Sequence, residues 1–196
     1  MWGIISSCLT TIFTCTWVAI HPNIPSPEES PIEVIVRRVI LMVMALIAPE
    51  LVLVWAMRQW FGARRIAKVH RGKPQSEPTG REWTLTHGFF ALMGGFMIVK
   101  GCHDEPVEIL LPDRLLDLDE DEFPMLTAEM ILDRSKRDTL SKALAILQTA
   151  WFILQFAARS HKGLQTTQLE YATLAFTVIN FATYGFWWSK PTDVHF

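Results

Sequence analysis

Charge is what the long apolar stretches of this chain lack. From Val39 to Met57 the sequence runs nineteen residues with Glu50 as its single charge. A run of that length and composition is long enough to cross a hydrocarbon core and is rare in soluble domains. Cysteine is scarce as well, with only Cys8, Cys15 and Cys102. Their spacing suits neither a metal site nor a disulfide framework. Cys8 and Cys15 share a helical face inside an apolar segment and read as buried thiols. The chain has no Gly-rich phosphate loop, no nucleophile elbow and no His-Glu-x-x-His pattern, so the sequence calls for no cofactor and no metal.

What is present is segregated. Of the 196 residues 50% are hydrophobic and 19% charged, and the formal net charge of −2 conceals opposite local excesses. Met57–Lys73 carries Arg58, Arg64, Arg65, Lys68, Arg71 and Lys73 without an acid. Asp104–Glu122 carries nine acids against Arg114. Asymmetry of this kind reports topology and partners better than the total does.

Four blocks have the length of a membrane-crossing helix, at about 1.5 Å rise per residue across about 30 Å. They are Gly3–Ile20, Val34–Met57, Thr139–Ala158 and Leu169–Trp188. The first has no positive n-region, and His21-Pro22-Asn23 follows it instead of a small-residue cleavage site, so it reads as a span rather than a signal peptide. Trp83–Val99 is shorter and is interrupted by Gly94-Gly95. Its end, GGFMIV, and the later VEILL read as two strands joined by a turn-rich loop, with a fifth span as the alternative.

The expected fold is therefore an all-α membrane protein of about four transmembrane helices with a small inserted α+β soluble domain. Residues 1–57 hold the first two spans and residues 58–138 the basic segment and the inserted domain. Residues 139–196 hold the last two spans and a short tail. The positive-inside rule places the basic stretch and the inserted domain in the cytoplasm, although Arg37, Arg38, Arg159 and Lys162 then fall on the far side.

Pro49-Glu50 is the strongest single signal for chemistry. Proline removes the donor that would bond the carbonyl of Ala45 and kinks the helix, and a carboxylate in lipid must face protein or water. Gln148 and Gln155 share a face of the third block, and Asn180 lies in the fourth. Such residues either glue helices or line a polar path. His21 and His87 sit at expected interfaces. Arg58, Arg64, Arg65 and Lys68 follow aromatic residues in a stretch suited to lie along the surface and attract anionic lipid. Nucleic acid is not an expected partner.

Several strings, among them TCTWVAIHPNIP, LIAPELVLVWAMRQWFGARRIAK and LEYATLAFTVINFATYGFWWSKP, resemble a large family of small fungal multi-pass membrane proteins. The resemblance covers most of the chain and implies no catalytic residues. Three functional classes stand. The first is an oligomeric channel, transporter or sensor component with Glu50, Gln148, Gln155 and Asn180 along a polar path. The second is a membrane-embedded enzyme acting on a lipid or terpenoid, with Glu50 as acid or base. The third is an adaptor without transport or catalysis. The balance of residues leans away from an enzyme.

Overall fold

The computed structural model describes residues 2–18, 20–25, 29–71, 83–99, 106–110, 114, 127–133 and 136–191. The acidic run 113–122, apart from the helical Arg114, and the loop containing Cys102 lie outside the described residues, as do Arg71's side chain and Lys73. The described elements run α1 (Trp2–Phe13), a π-helical turn (Thr14–Val18), α2 (Pro31–Ile47), α3 (Pro49–Arg71), α4 (Leu85–Leu92), β1 (Met97–Val99), β2 (Pro106–Ile109), α5 (Ala128–Asp133), α6 (Lys136–His161) and α7 (Gln168–Trp187). The chain divides into two compact units. One comprises Met1–Pro22, Glu28–Ala56 and Arg137–Trp187; the other comprises Asn23–Pro27, Met57–Lys136 and Trp188–Phe196.

In the first unit the helix ends are locally encoded. Ser30 caps α2: its Oγ accepts from the Glu33 N–H, while the Glu33 carboxylate accepts from the Ser30 backbone N–H at 2.7 Å. This reciprocal box satisfies two donors that the helix start leaves open. Pro31 occupies the first turn, where its missing N–H costs nothing. At the other end Gly163 adopts φ 66 after α6, a left-handed conformation that terminates helices without a Cβ penalty. Thr167 then caps α7, with Glu170 accepting from both its N–H (2.8 Å) and its hydroxyl (3.0 Å). Glu170 is buried and also pairs with Arg159 Nε at 3.1 Å, which fastens the end of α6 to the start of α7.

The block read as one span over Val34–Met57 is two helices. Chain direction turns by 114° at Ala48, between α2 and α3. Pro49 opens α3, where a proline is tolerated, rather than kinking a continuous helix. Among the described residues no single helix is long and apolar enough to cross a membrane; α2 and Pro49–Val69 have that length and composition only together, as a bent pair.

The first unit has a strongly apolar exterior, and its interior mixes threonines with apolar residues such as Ile20, Val52, Phe152 and Trp187. Its exterior carries Ile35, Ile40, Ile47, Leu144, Leu147, Trp151, Leu154 and Val178, with Ile47 78% and Leu147 71% exposed. Its interior holds Thr11, Thr16, Thr149, Thr173, Thr177 and Thr183. Most of these hydroxyls bond the carbonyl one turn back, as Thr173 does to Leu169 at 2.8 Å and Thr183 to Ile179 at 2.9 Å. That bond lets threonine enter a helix interior without an orphaned group.

The second unit is built the ordinary way. Ile24, Ile66, Trp83, Phe90, Phe96, Leu110 and Ile131 form its core. The strands read from the sequence fall at β1 and β2, which pair antiparallel with Met97 opposite Ile109 and an irregularity between Ile98 and Val99. Gly94, at φ 80, ends the α4 turn and feeds the chain into β1. Gly88 of α4 lies against the backbone of Ala63 in α3, in a space that a Cβ would fill.

Candidate functional site

Two polar sites stand out, one in each unit. The first is a seam between α1 and α6. Ser7, Thr11 and Cys15 recur every four residues and so face one way. Ser7 Oγ donates to Gln155 Oε1 at 3.0 Å, and Gln148 Nε2 donates to Thr11 Oγ1 at 3.2 Å. Cys15 Sγ lies 4.0 Å from Thr149 Oγ1. The Thr149 hydroxyl hydrogen is directed to the Ala145 carbonyl at 2.6 Å, so the thiol is the donor of this third pair. The three contacts tie α1 and the π-helical turn to the Gln148–Gln155 stretch of α6.

The seam ends at a cleft of about 20 Å³ lined by Cys15, Ala145, Ile146, Thr149, Thr177, Asn180, Phe181 and Tyr184. Cys15 belongs to the π-helical turn. Such turns leave the regular i→i−4 ladder and are frequent at functional sites. Asn180 donates its side-chain N–H to the Phe176 carbonyl at 2.9 Å. Above the cleft, His21 is buried in aromatic contact with Tyr184 and Trp187, both at 5.7 Å between ring centroids, and Trp55 meets Trp187 edge-on at 5.2 Å.

The second site is centred on Lys190, which is 1% exposed. Its Nζ donates to Gln59 Oε1 at 3.0 Å and to Asn23 Oδ1 at 3.3 Å. Gln59 Nε2 also donates to Asn23 Oδ1 at 3.1 Å, closing a triangle. Burial pushes the Lys190 ammonium down to about 7, because removing the charge from water favours the neutral amine. An amine poised there exchanges its proton near neutral pH.

The residues singled out in the sequence distribute as follows. Glu50 is exposed in the first turn of α3, beside the break that Pro49 starts. Gln148 and Gln155 are half-buried and engaged with α1, and Asn180 lines the cleft. His21 is part of the aromatic cluster. His87 closes the α4 cap, its Nδ1 accepting the Thr84 N–H at 3.1 Å, and it stacks on Trp83. Arg58, Arg64, Arg65 and Lys68 are all exposed on α3 beside the exposed Phe61. Arg37 pairs with Glu29 at 3.0 Å and Arg38 covers the Trp17 ring at 5.1 Å, so both bases have neighbours suited to them.

Sequence reasoning missed Lys190 with Asn23 and Gln59, and it missed Thr177. The Thr177 signal is the stripe Thr173, Thr177, Asn180, Tyr184, which follows helical spacing. Lys190 gave no local signal, since a lysine just past an aromatic helix end reads as an interfacial anchor.

Among the described residues no group of three or more His, Cys, Asp or Glu is placed to hold a metal ion. No curated protein and no solved structure matches the chain. One family profile matches over residues 1–196, and by that match the chain belongs to the family of unknown function DUF8562.

Proposed function

We propose that this chain is an integral multi-pass membrane protein acting as an adaptor, its first unit embedded in lipid. The observation that carries the reading is the apolar exterior of that unit, where Leu, Ile, Val and Trp face outward while its buried threonines, Thr177 excepted, bond back to their own helices. Lipid offers no hydrophobic drive for helices to associate, so they pack through small and hydroxyl-bearing residues and cross-helix hydrogen bonds. The Ser7–Gln155 and Thr11–Gln148 pairs are of that kind. Polar inner faces also lower a helix's mean hydropathy, so helices that span together in a bundle need not each be uniformly apolar. That the family consists of fungal multi-pass membrane proteins is part of the same proposal.

The adaptor reading follows from where the polar side chains point. Gln148 and Gln155 are engaged in holding α1 to α6 rather than lining a path. Glu50 is on the surface and His21 in the core, an arrangement that does not favour an acid–base pair. The exposed bases of α3 flanking Phe61 suit contact with anionic lipid headgroups. A second reading, an oligomeric channel or transport component, is favoured by the break at Ala48 with an exposed Glu50 next to it. Broken helices of this sort line ion sites when several copies or repeats enclose them.

Electron microscopy of the chain in lipid nanodiscs separates the two. A monomer or simple dimer without an axial cavity is expected for the adaptor. A symmetric ring with Glu50 on a continuous axis would overturn it in favour of the channel.

A further inference from the structure

Thr177 is the exception among the buried threonines of the first unit. Thr11, Thr16, Thr149, Thr173 and Thr183 each donate to a carbonyl four residues earlier. Thr177 is 0% exposed, yet its Oγ1 has no hydrogen-bond partner among the described residues. A buried hydroxyl left unsatisfied costs about 1–3 kcal/mol, so native structures rarely keep one without a ligand or water. This one lines the cleft, with Asn180, Cys15 and Thr149 around the same space.

The space matches a small occupant. Its 20 Å³ exceeds the roughly 10–15 Å³ needed to admit a water, and Thr177 and Asn180 are among the residues that line it. The cleft also includes Ile146 and Phe181, which are 39% and 45% exposed and stand at its outer side. An apolar body can lie along them while a polar head reaches inward.

We propose that the cleft between the π-helical turn, α6 and α7 is a binding site for a single neutral hydroxyl, held by Thr177 Oγ1 with Asn180 and Cys15 beside it. The hydroxyl belongs either to a water molecule or to a lipophilic alcohol whose chain rests on Ile146 and Phe181. The site stands whether or not the first unit is in lipid; only the lipophilic-alcohol source rests on the membrane reading.

Two measurements on the purified full-length chain test it. Thr177→Val keeps the side-chain shape and deletes the hydroxyl, whereas Thr177→Ser keeps the hydroxyl. With an occupied site, Thr177→Val lowers the melting temperature by a few degrees more than Thr177→Ser does. If Thr177→Val melts at the same temperature as the parent or higher, the hydroxyl was an orphan and the site does not exist. A high-resolution map of the parent gives the second readout. An isolated peak within hydrogen-bond distance of Thr177 Oγ1 identifies water, and density continuing out between Ile146 and Phe181 identifies an alcohol. An empty cleft overturns the proposal.

Discussion

Lys190 and Gln59 are 131 positions apart in sequence and are joined by a 3.0 Å hydrogen bond from the buried Nζ to the amide oxygen. Asn23 completes the contact, so three distant segments meet at one amine. The two amide oxygens accept from the ammonium, and burial favours the neutral form.

This has a consequence for stability against pH. The unfolded lysine titrates near 10.5 and the folded one near 7, so between these values the unfolded chain binds the extra proton. Stability therefore rises with pH from about 7 towards 10 and, for this group, is flat below 7. Replacing Lys190 by Met removes that slope. Melting temperatures of the parent and K190M recorded from pH 6 to pH 10 check it; parallel curves would refute a depressed Lys190.

The α1–α6 seam predicts coupling. Ser7→Ala and Gln155→Ala each destabilise by roughly 1 kcal/mol, and the double mutant by less than their sum, with a coupling of about 0.6 kcal/mol. A double-mutant cycle on purified protein measures it. Full additivity would mean that the hydrogen bond does not form in solution.

Glu170 predicts a larger effect. Glu170→Ala removes a capping box and leaves Arg159 without its carboxylate, a loss of about 2 kcal/mol. Glu170→Gln retains a cap acceptor and loses less. Chemical denaturation of both variants orders them; equal stability would contradict the cap geometry.

Gly88→Ala tests the close approach of α4 to α3. The added methyl meets the backbone carbonyl of Ala63, which cannot rotate away, so the helices must separate. Overpacking of this kind costs about 3 kcal/mol. Proteolysis within Trp83–Leu110 should accelerate with it, and an unchanged rate would show that α4 shifts freely.

Much of the helical layout was legible because apolar runs and caps are local properties. The first block ends at Val18 in the structure, the third lies inside α6, and the fourth matches α7 to within a residue. The Pro49 signal marked the right place but implied a kink. The 114° turn arises where Ala48 leaves the helical region (φ −143, ψ 73), which the steric demand of the following Pro49 ring favours. Gln148 and Gln155 were legible as a shared face, whereas their partners on α1 depended on how the helices meet. Asn23, Gln59 and Lys190 were illegible for the same reason, since no periodic pattern links them.

The central claim, that the apolar exterior of the first unit faces lipid, is tested most directly by site-directed spin labelling in nanodiscs. Nitroxides placed singly at Val36, Leu147, Leu154 and Val178 report collisions with dissolved oxygen, which concentrates in hydrocarbon, and with a water-soluble nickel chelate, which does not enter it. High oxygen and low nickel accessibility are expected at all four positions. High nickel accessibility at these sites would place them in water and contradict it.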